Sequence, residues 1–175
     1  MAHISTGVEY SLHCLLYLTR PPTGVEEASV RSLAELQGVS NEFLAKLFTK
    51  MAKAGLVVAT EGVKGGFRLA REPNNITVYD VVIAIDGEKV LFDCREIRGR
   101  CAIFDNKAPA WATEGICSIH AVMQMAEKAM HNELKQHTLA DLAKRTTDKA
   151  HASYGIQVIE WLSHSSAERG INKDK

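Results

Sequence analysis

The stretch "SVRSLAELQGVSNEFLAKLFTKMAKAGLVVATEGVKGGFRLAR", residues 29–71, changes period twice within one short run. From about Val30 to Gln37 the apolar residues Leu33, Ala34 and Leu36 fit one face of a short helix. Gly38 makes a turn and Ser40 caps a second helix. In that helix Phe43, Leu44, Leu47, Phe48, Met51 and Ala54 form the inward face, and Gly55 ends it. Leu56 to Thr60 then reads as a strand, "EGVKGG" as a glycine-rich turn, and Phe67 to Ala70 as the returning strand. Two short helices about a glycine turn, followed by a hairpin, spell a helix-turn-helix with a wing.

Outward from this stretch the pattern stays helical. "STGVEYSLHCLLYLTR" offers Ser5 and Thr6 as N-caps, and "RPPTG" stops the run. "PNNITVYDVVIAIDG" predicts a helix capped at Thr77 and ended at Gly87. Past an irregular segment, Ile119, Met123, Ala126, Met130 and Leu134 recur at helical spacing and predict a seam for a partner helix. "TLADLAKRT" and "HASYGIQVIEWLSHS" predict two more helices, and the last ten residues are expected to fray. The expected class is mainly α: a winged helix-turn-helix with a two-stranded β wing, plus a long dimerisation helix. The expected division is a DNA-binding domain over 1–87, a cysteine-containing sensor loop over 88–116, the dimerisation region over 117–145, and a helical extension over 146–175.

The chain has 175 residues, with 21 Lys and Arg balanced by 21 Asp and Glu, so net charge alone points to no partner. Its distribution does. Residues 30–71 carry a net +4, from Arg31, Lys46, Lys50, Lys53, Lys64, Arg68 and Arg71 against Glu35, Glu42 and Glu61. Asn41, Glu42, Lys46 and Lys50 lie opposite the apolar face of the second helix, with Ser40 at its start. Lysines there suit phosphates, and Asn41 suits a base edge. Lys64 at the wing tip suits a minor groove or phosphate, with Arg31 and Arg68 completing the basic set. The bland alternative is a solvated helix face. No apolar run approaches a membrane span and no secretory signal is visible, so a soluble cytoplasmic protein is expected, with no membrane partner. No phosphate-binding, nucleophile-elbow, metalloprotease or dinucleotide motif is present, and no C-x-x-C pair, so no enzyme is expected.

Three of the four cysteines fall in "CREIRGRCAIFDNKAPAWATEGICSIH", residues 94–120, spaced C-x6-C-x15-C with His120 three positions after the last. Thiols clustered in a polar loop of a cytoplasmic protein point to metal or redox chemistry. Three cysteines and one histidine suit an iron–sulfur cluster or zinc, although zinc sites normally have a short C-x-x-C-type knuckle. A metal-free thiol switch using Cys94 or Cys101, and incidental thiols, are the other readings. Cys14, among leucines, reads as core.

Several strings carry a more specific likeness. "ISTGVEYSLHCLLYL", "VSNEFLAKLFTKMAKAGLV", "GGFRLAREPNNITVYDVVIAIDG" and "TLADL" resemble the Rrf-type family of bacterial winged-helix regulators, the IscR-, NsrR- and CymR-like proteins. The resemblance runs from Ile4 to Leu142 and is strongest from Leu33 to Gly87. It implies a homodimer on a near-palindromic double-stranded DNA operator. It also implies an iron–sulfur cluster, 2Fe-2S or 4Fe-4S, on Cys94, Cys101, Cys117 and His120, and makes the iron–sulfur assembly machinery a candidate partner. In NsrR-like members an acidic residue near the amino terminus of the partner subunit joins the ligands, which raises Glu9, with His13 four residues on. The alternative is that His13 packs and Glu9 is solvated. This chain departs from the family in its long second cysteine spacing, in Glu61 where many members have Arg, and in its longer tail. The competing functions are a metal-free thiol-based redox regulator and a winged-helix interaction module that does not bind DNA specifically.

Overall fold

A computed structural model describes residues 4–20, 24–60, 65–105, 107–151 and 153–171, with side chains to 164. Eight α-helices are described: α1 (Thr6–Tyr17), α2 (Val30–Gln37), α3 (Asn41–Lys53), α4 (Val78–Asp86), α5 (Ala110–Thr113), α6 (Ser118–Gln136), α7 (Leu139–Lys149) and α8 (Ser153–Ile171). Two strands, β1 (Val57–Ala59) and β2 (Phe67–Leu69), lie between α3 and α4, and three short 3-10 turns complete the elements. The chain divides into two compact units, one built from residues 1–87 and 134–175 and the other from 88–133.

In the first unit, local side-chain chemistry sets where helices begin. Ser29 Oγ accepts from the Ser32 N–H at 3.1 Å and opens α2; Ser40 Oγ accepts from Phe43 at 3.2 Å and opens α3. Between them Gly38 sits at φ +66°, the left-handed conformation that an αL helix end demands. Both α4 and α7 start with capping boxes, Thr77 with Asp80 and Thr138 with Asp141. The two boxes lie side by side: Val78 N–H donates to the His137 carbonyl at 2.8 Å and Leu139 N–H to Ile76 at 2.9 Å. Backbone N–H donation from Thr138 holds the Asp141 carboxyl below the usual carboxylate range. Ser5 opens α1 differently. Its N–H and hydroxyl both donate to the Asp86 carboxylate, at 2.8 and 2.6 Å, tying α1 to the end of α4.

The core is one apolar cluster. Leu15 and Leu18 from the α1 end, Leu33 from α2, Leu44, Phe48 and Met51 from α3, Leu56, Ile76, Val81 and Leu139 are all fully buried. Cys14 is among them, and burial pushes its thiol up to about 12. The C-terminal helix belongs to this core as well, since Val158 and Leu162 of α8 are buried and α8 packs on α2. It continues to Ile171, into the stretch expected to fray. Phe43 and Ala54 also depart from expectation. Ala54 is exposed at the helix end, and Phe43 is 36% exposed, meeting the Tyr10 ring edge-on with centroids 5.5 Å apart. Both sit at the margin of the apolar stripe, where the helix turns toward solvent.

The wing is antiparallel, pairing Val57 with Leu69, Val58 with Arg68 and Ala59 with Phe67. Ala28 joins it from the loop before α2, exchanging backbone hydrogen bonds with Phe67 at 3.2 and 2.9 Å. This closeness needs a glycine next door, because a Cβ on Gly66 would stand 2.5 Å from the Ala28 carbonyl oxygen. Gly66→Ala should therefore lower stability by about 1–3 kcal/mol, the usual cost of forcing atoms into a filled site. A urea denaturation midpoint equal to the parent's would contradict this pairing.

Candidate nucleic-acid interface and cysteine loop

Burying Leu44, Leu47, Phe48 and Met51 turns the opposite face of α3 to solvent. Asn41, Glu42, Lys46 and Thr49 are all exposed there, with Ser40 engaged as the cap. Thr49 Oγ donates back to the Ala45 carbonyl at 2.9 Å. Arg31 is exposed on α2 and pairs with Glu35 one turn on, at 3.0 Å. Arg68 is exposed on β2. Lys64 and Glu61 lie outside the described residues.

The basic residues divide into two sets that sequence spacing does not separate. The Lys50 ammonium donates to the Ile85 carbonyl at 2.6 Å, near the C-terminus of α4, where a cation is favoured by the helix dipole. Arg71 donates to the Gly55 and Asn75 carbonyls, both at 3.2 Å, and stands 3.9 Å from Asp80. These two hold elements together. Lys46 is exposed, Arg31 reaches only Glu35 on its own helix and Arg68 only the neighbouring Leu69 carbonyl, so these three remain open to solvent. Lys46 and Lys50 share a helix face, and only the three-dimensional position of α4 distinguishes them.

The second unit holds the cysteine loop. The thiols of Cys94, Cys101 and Cys117 are all free, with Cys101 exposed and the other two half-buried. Cys101 links two 3-10 turns, Arg98–Arg100 and Ala102–Phe104. The Cys117 carbonyl accepts from the Ala121 N–H at 2.9 Å and so starts α6. His120, one turn along, places Nε2 2.8 Å from the Gln124 amide nitrogen and holds its ring tilted at 50° to Phe92, with centroids 6.2 Å apart. Its Nδ1 is buried and finds no hydrogen-bond partner among the described residues.

The strongest polar arrangement in the loop centres on a residue that sequence reasoning missed. Arg98 binds Glu96 through Nε and Nη2, at 2.6 and 2.7 Å, and donates to the carbonyls of Thr113, Glu114 and Gly115 at 3.0, 3.3 and 2.9 Å. Hydrogen bonding from Arg98 holds the Glu96 carboxyl below its usual range. The hydrogen bond to Glu96 in turn raises the guanidinium further. Among the described residues, Cys94, Cys101, Cys117 and His120 do not form a group of three or more donors gathered closely enough to hold a metal ion. Their chemistry nonetheless suits one: three soft thiolates, and an imidazole nitrogen buried without a partner.

Glu9 and His13 belong to the first unit. Both are exposed on α1, at the rim of an apolar groove of about 780 Å³ lined by Val8, Leu12 and Leu16, Val78 and Val82 of α4, and Leu142 of α7. On α6 no residue is buried, and Ile119, Val122 and Met125 are 63%, 56% and 61% exposed. Among the described residues no helix is long and apolar enough to cross a membrane.

Comparison with known proteins places this arrangement. Residues 4–145 match the model of the Rrf2 family, described as an iron-dependent transcriptional regulator. The chain is 31% identical over 119 residues to the protein rrf2 of Nitratidesulfovibrio vulgaris, covering 68% of this chain and 73% of that one. Among solved structures it is similar to IscR of T. potens, at 26% identity and TM-score 0.63 over 86% of this chain and 92% of that one. It is also similar to CymR (YrzC), the global cysteine regulator of B. subtilis, at 25% identity and TM-score 0.60 over 83% and 99%. With a winged helix-turn-helix whose recognition helix shows polar and basic residues to solvent, and a match over most of its length, the chain belongs to the Rrf2 family of transcriptional regulators, which bind DNA and are not enzymes.

Proposed function

We propose that this chain is a cytoplasmic homodimer that reads its operator with α3 and the wing, and whose affinity is set by an iron–sulfur cluster on Cys94, Cys101, Cys117 and His120. The observation that carries the cofactor reading is His120 Nδ1, a buried nitrogen with no hydrogen-bond partner among the described residues, one helical turn past Cys117. Exchange of one thiolate for an imidazole reduces negative charge and raises a cluster's potential, as histidine ligation does in Rieske centres. When bound, the cluster would supply sensitivity to oxidants or to iron supply. The chain's own residues do the rest: the loop closes round the thiols, and α6 carries that closure toward the dimer. Similarity to IscR supports this reading.

A second reading has its own support. Cys101 is exposed and similarity to CymR is equally close, which favours a metal-free switch in which an oxidant such as peroxide takes two electrons from Cys94 and Cys101, leaving a disulfide and releasing two protons. The two readings separate on purification without oxygen. The cluster reading expects coloured protein containing iron and acid-labile sulfide, with absorption lost in each of Cys94→Ala, Cys101→Ala and Cys117→Ala and shifted in His120→Ala. Colourless protein that forms a Cys94–Cys101 disulfide on mild oxidation would establish the thiol switch instead; colourless protein with one zinc per chain would establish a structural metal.

Homodimerisation is supported by α6, on which no residue is buried: of the expected seam Ile119 and Ala126 are exposed and Met123, Met130 and Leu134 half-buried, and Val122 and Met125 add exposed apolar surface beside Ile119. A second copy is the natural cover for a face this regular. The double change Val122→Glu, Met125→Glu should yield monomers by light scattering; an undiminished dimer would remove α6 from the interface.

For DNA, Lys46→Ala should weaken binding across all sequences and reduce the salt slope by about one. Asn41→Ala should relax sequence preference. Lys50→Ala should act mainly by lowering the unfolding midpoint, because its ammonium is engaged with Ile85. Parent-like binding by the Lys46 and Asn41 variants over a full salt series would rule out α3 as the reading element.

A further inference from the structure

The long spacing between Cys101 and Cys117 leaves a physical problem. Fifteen intervening residues are an open excursion between two groups that must act together. The loop solves it with one side chain. Arg98 stands three residues before Cys101, and its carbonyl acceptors, Thr113 to Gly115, end two residues before Cys117. Five hydrogen bonds converge on its guanidinium, three of them crossing the excursion. The side chain is only 22% exposed although the loop around it is largely open to solvent.

Two further features fit a built clasp. Glu96 sits at φ +45°, a left-handed conformation costly for a residue with a side chain. In that conformation its carboxylate meets Arg98 with both oxygens, the fork-to-fork geometry that fixes a guanidinium in orientation. Beyond the clasp the excursion folds on itself: Trp111 meets Phe104 edge-on with centroids 6.0 Å apart, and Ala112 is buried.

We propose that Arg98 is the positioning residue of the sensor loop: oriented by Glu96, it closes the excursion at its base and holds Cys117 in place before any cofactor arrives. Its fixed positive charge lies in the same loop, three residues before Cys101 and hydrogen-bonded to the Gly115 carbonyl two residues before Cys117, so it favours an anionic cluster held there. Bonds that already join the two ends of the excursion remove most of the entropy cost of bringing Cys101 and Cys117 together, whatever the length between them. The second consequence rests on the cluster reading above; the first does not.

The test uses the full chain and the variants Arg98→Gln, Arg98→Lys and Glu96→Gln. In metal-free protein, amide hydrogen exchange over residues 110–117 should quicken by about tenfold in Arg98→Gln and Glu96→Gln, with exchange in α1 to α4 unchanged. Lysine keeps the charge but not the fork, so Arg98→Lys should also loosen these amides. After anaerobic reconstitution with iron and sulfide, Arg98→Gln should show a more negative midpoint potential than the parent, and Arg98→Lys should restore most of it. Parent-like exchange over 110–117 in both Arg98→Gln and Glu96→Gln overturns the proposal, whether or not the parent takes up a cluster. If the parent takes up none, the exchange result alone decides the clasp, and only the cluster reading falls. Loosened amides with an unmoved potential overturn the charge effect while the clasp stands.

Discussion

A helix that buries Leu44, Leu47, Phe48 and Met51 has little freedom over what it shows to solvent. Each such side chain is worth about 1.5–3 kcal/mol when removed from water, and whole domains are stable by only about 5–15 kcal/mol. Rotating α3 about its axis would forfeit a sum comparable to the stability of a whole domain. The outward display of Asn41, Glu42, Lys46 and Thr49 is therefore set by the core beneath it. The same core fixes the neighbours: α2 ends at Gly38, α4 receives Lys50 at its C-terminus, and the wing is pinned to Ala28 through Phe67. Functional geometry here is a by-product of burial, and the polar residues use the frame that the apolar ones impose.

The unit over 88–133 is held together in another way. Ala112 is the only buried apolar residue among its described residues, and its strongest internal ties are hydrogen bonds to charged groups. Leu91 adds one more, donating its N–H to the Glu127 carboxylate at 2.7 Å. Segments stabilised this way open at low cost, which suits the sensing role proposed for the loop. A loop organised by a few charge-assisted bonds is close enough to the margin for cofactor binding to matter.

Much of the first unit is legible in the sequence because its signals are local. Ser40, Gly38, Thr77 and Gly87 are caps and stops whose meaning depends on residues within a turn of them. Long-range roles are not legible in that way. Nothing near Lys50 announces that its partner is a backbone carbonyl 35 residues later, so it reads like Lys46. Arg98 is hidden for the same reason, since carbonyl acceptors have no side-chain signature. Phe43 is misjudged because an aromatic at the edge of a stripe can satisfy itself with one ring contact, here Tyr10. The place of α8 in the core, through Val158 and Leu162, lies beyond residues 4–145 of the family match; its apolar spacing shows that it packs but not against what.

The central claim is that the cysteine loop and the DNA-reading face are coupled. The direct measurement is DNA affinity of one anaerobic preparation before and after its cofactor is stripped, by fluorescence anisotropy on duplexes the protein has itself selected from a random pool. A coupling of the usual size would change the dissociation constant by about 5–150-fold between the two states, at constant salt. Equal affinities, with both samples dimeric and folded, would contradict it.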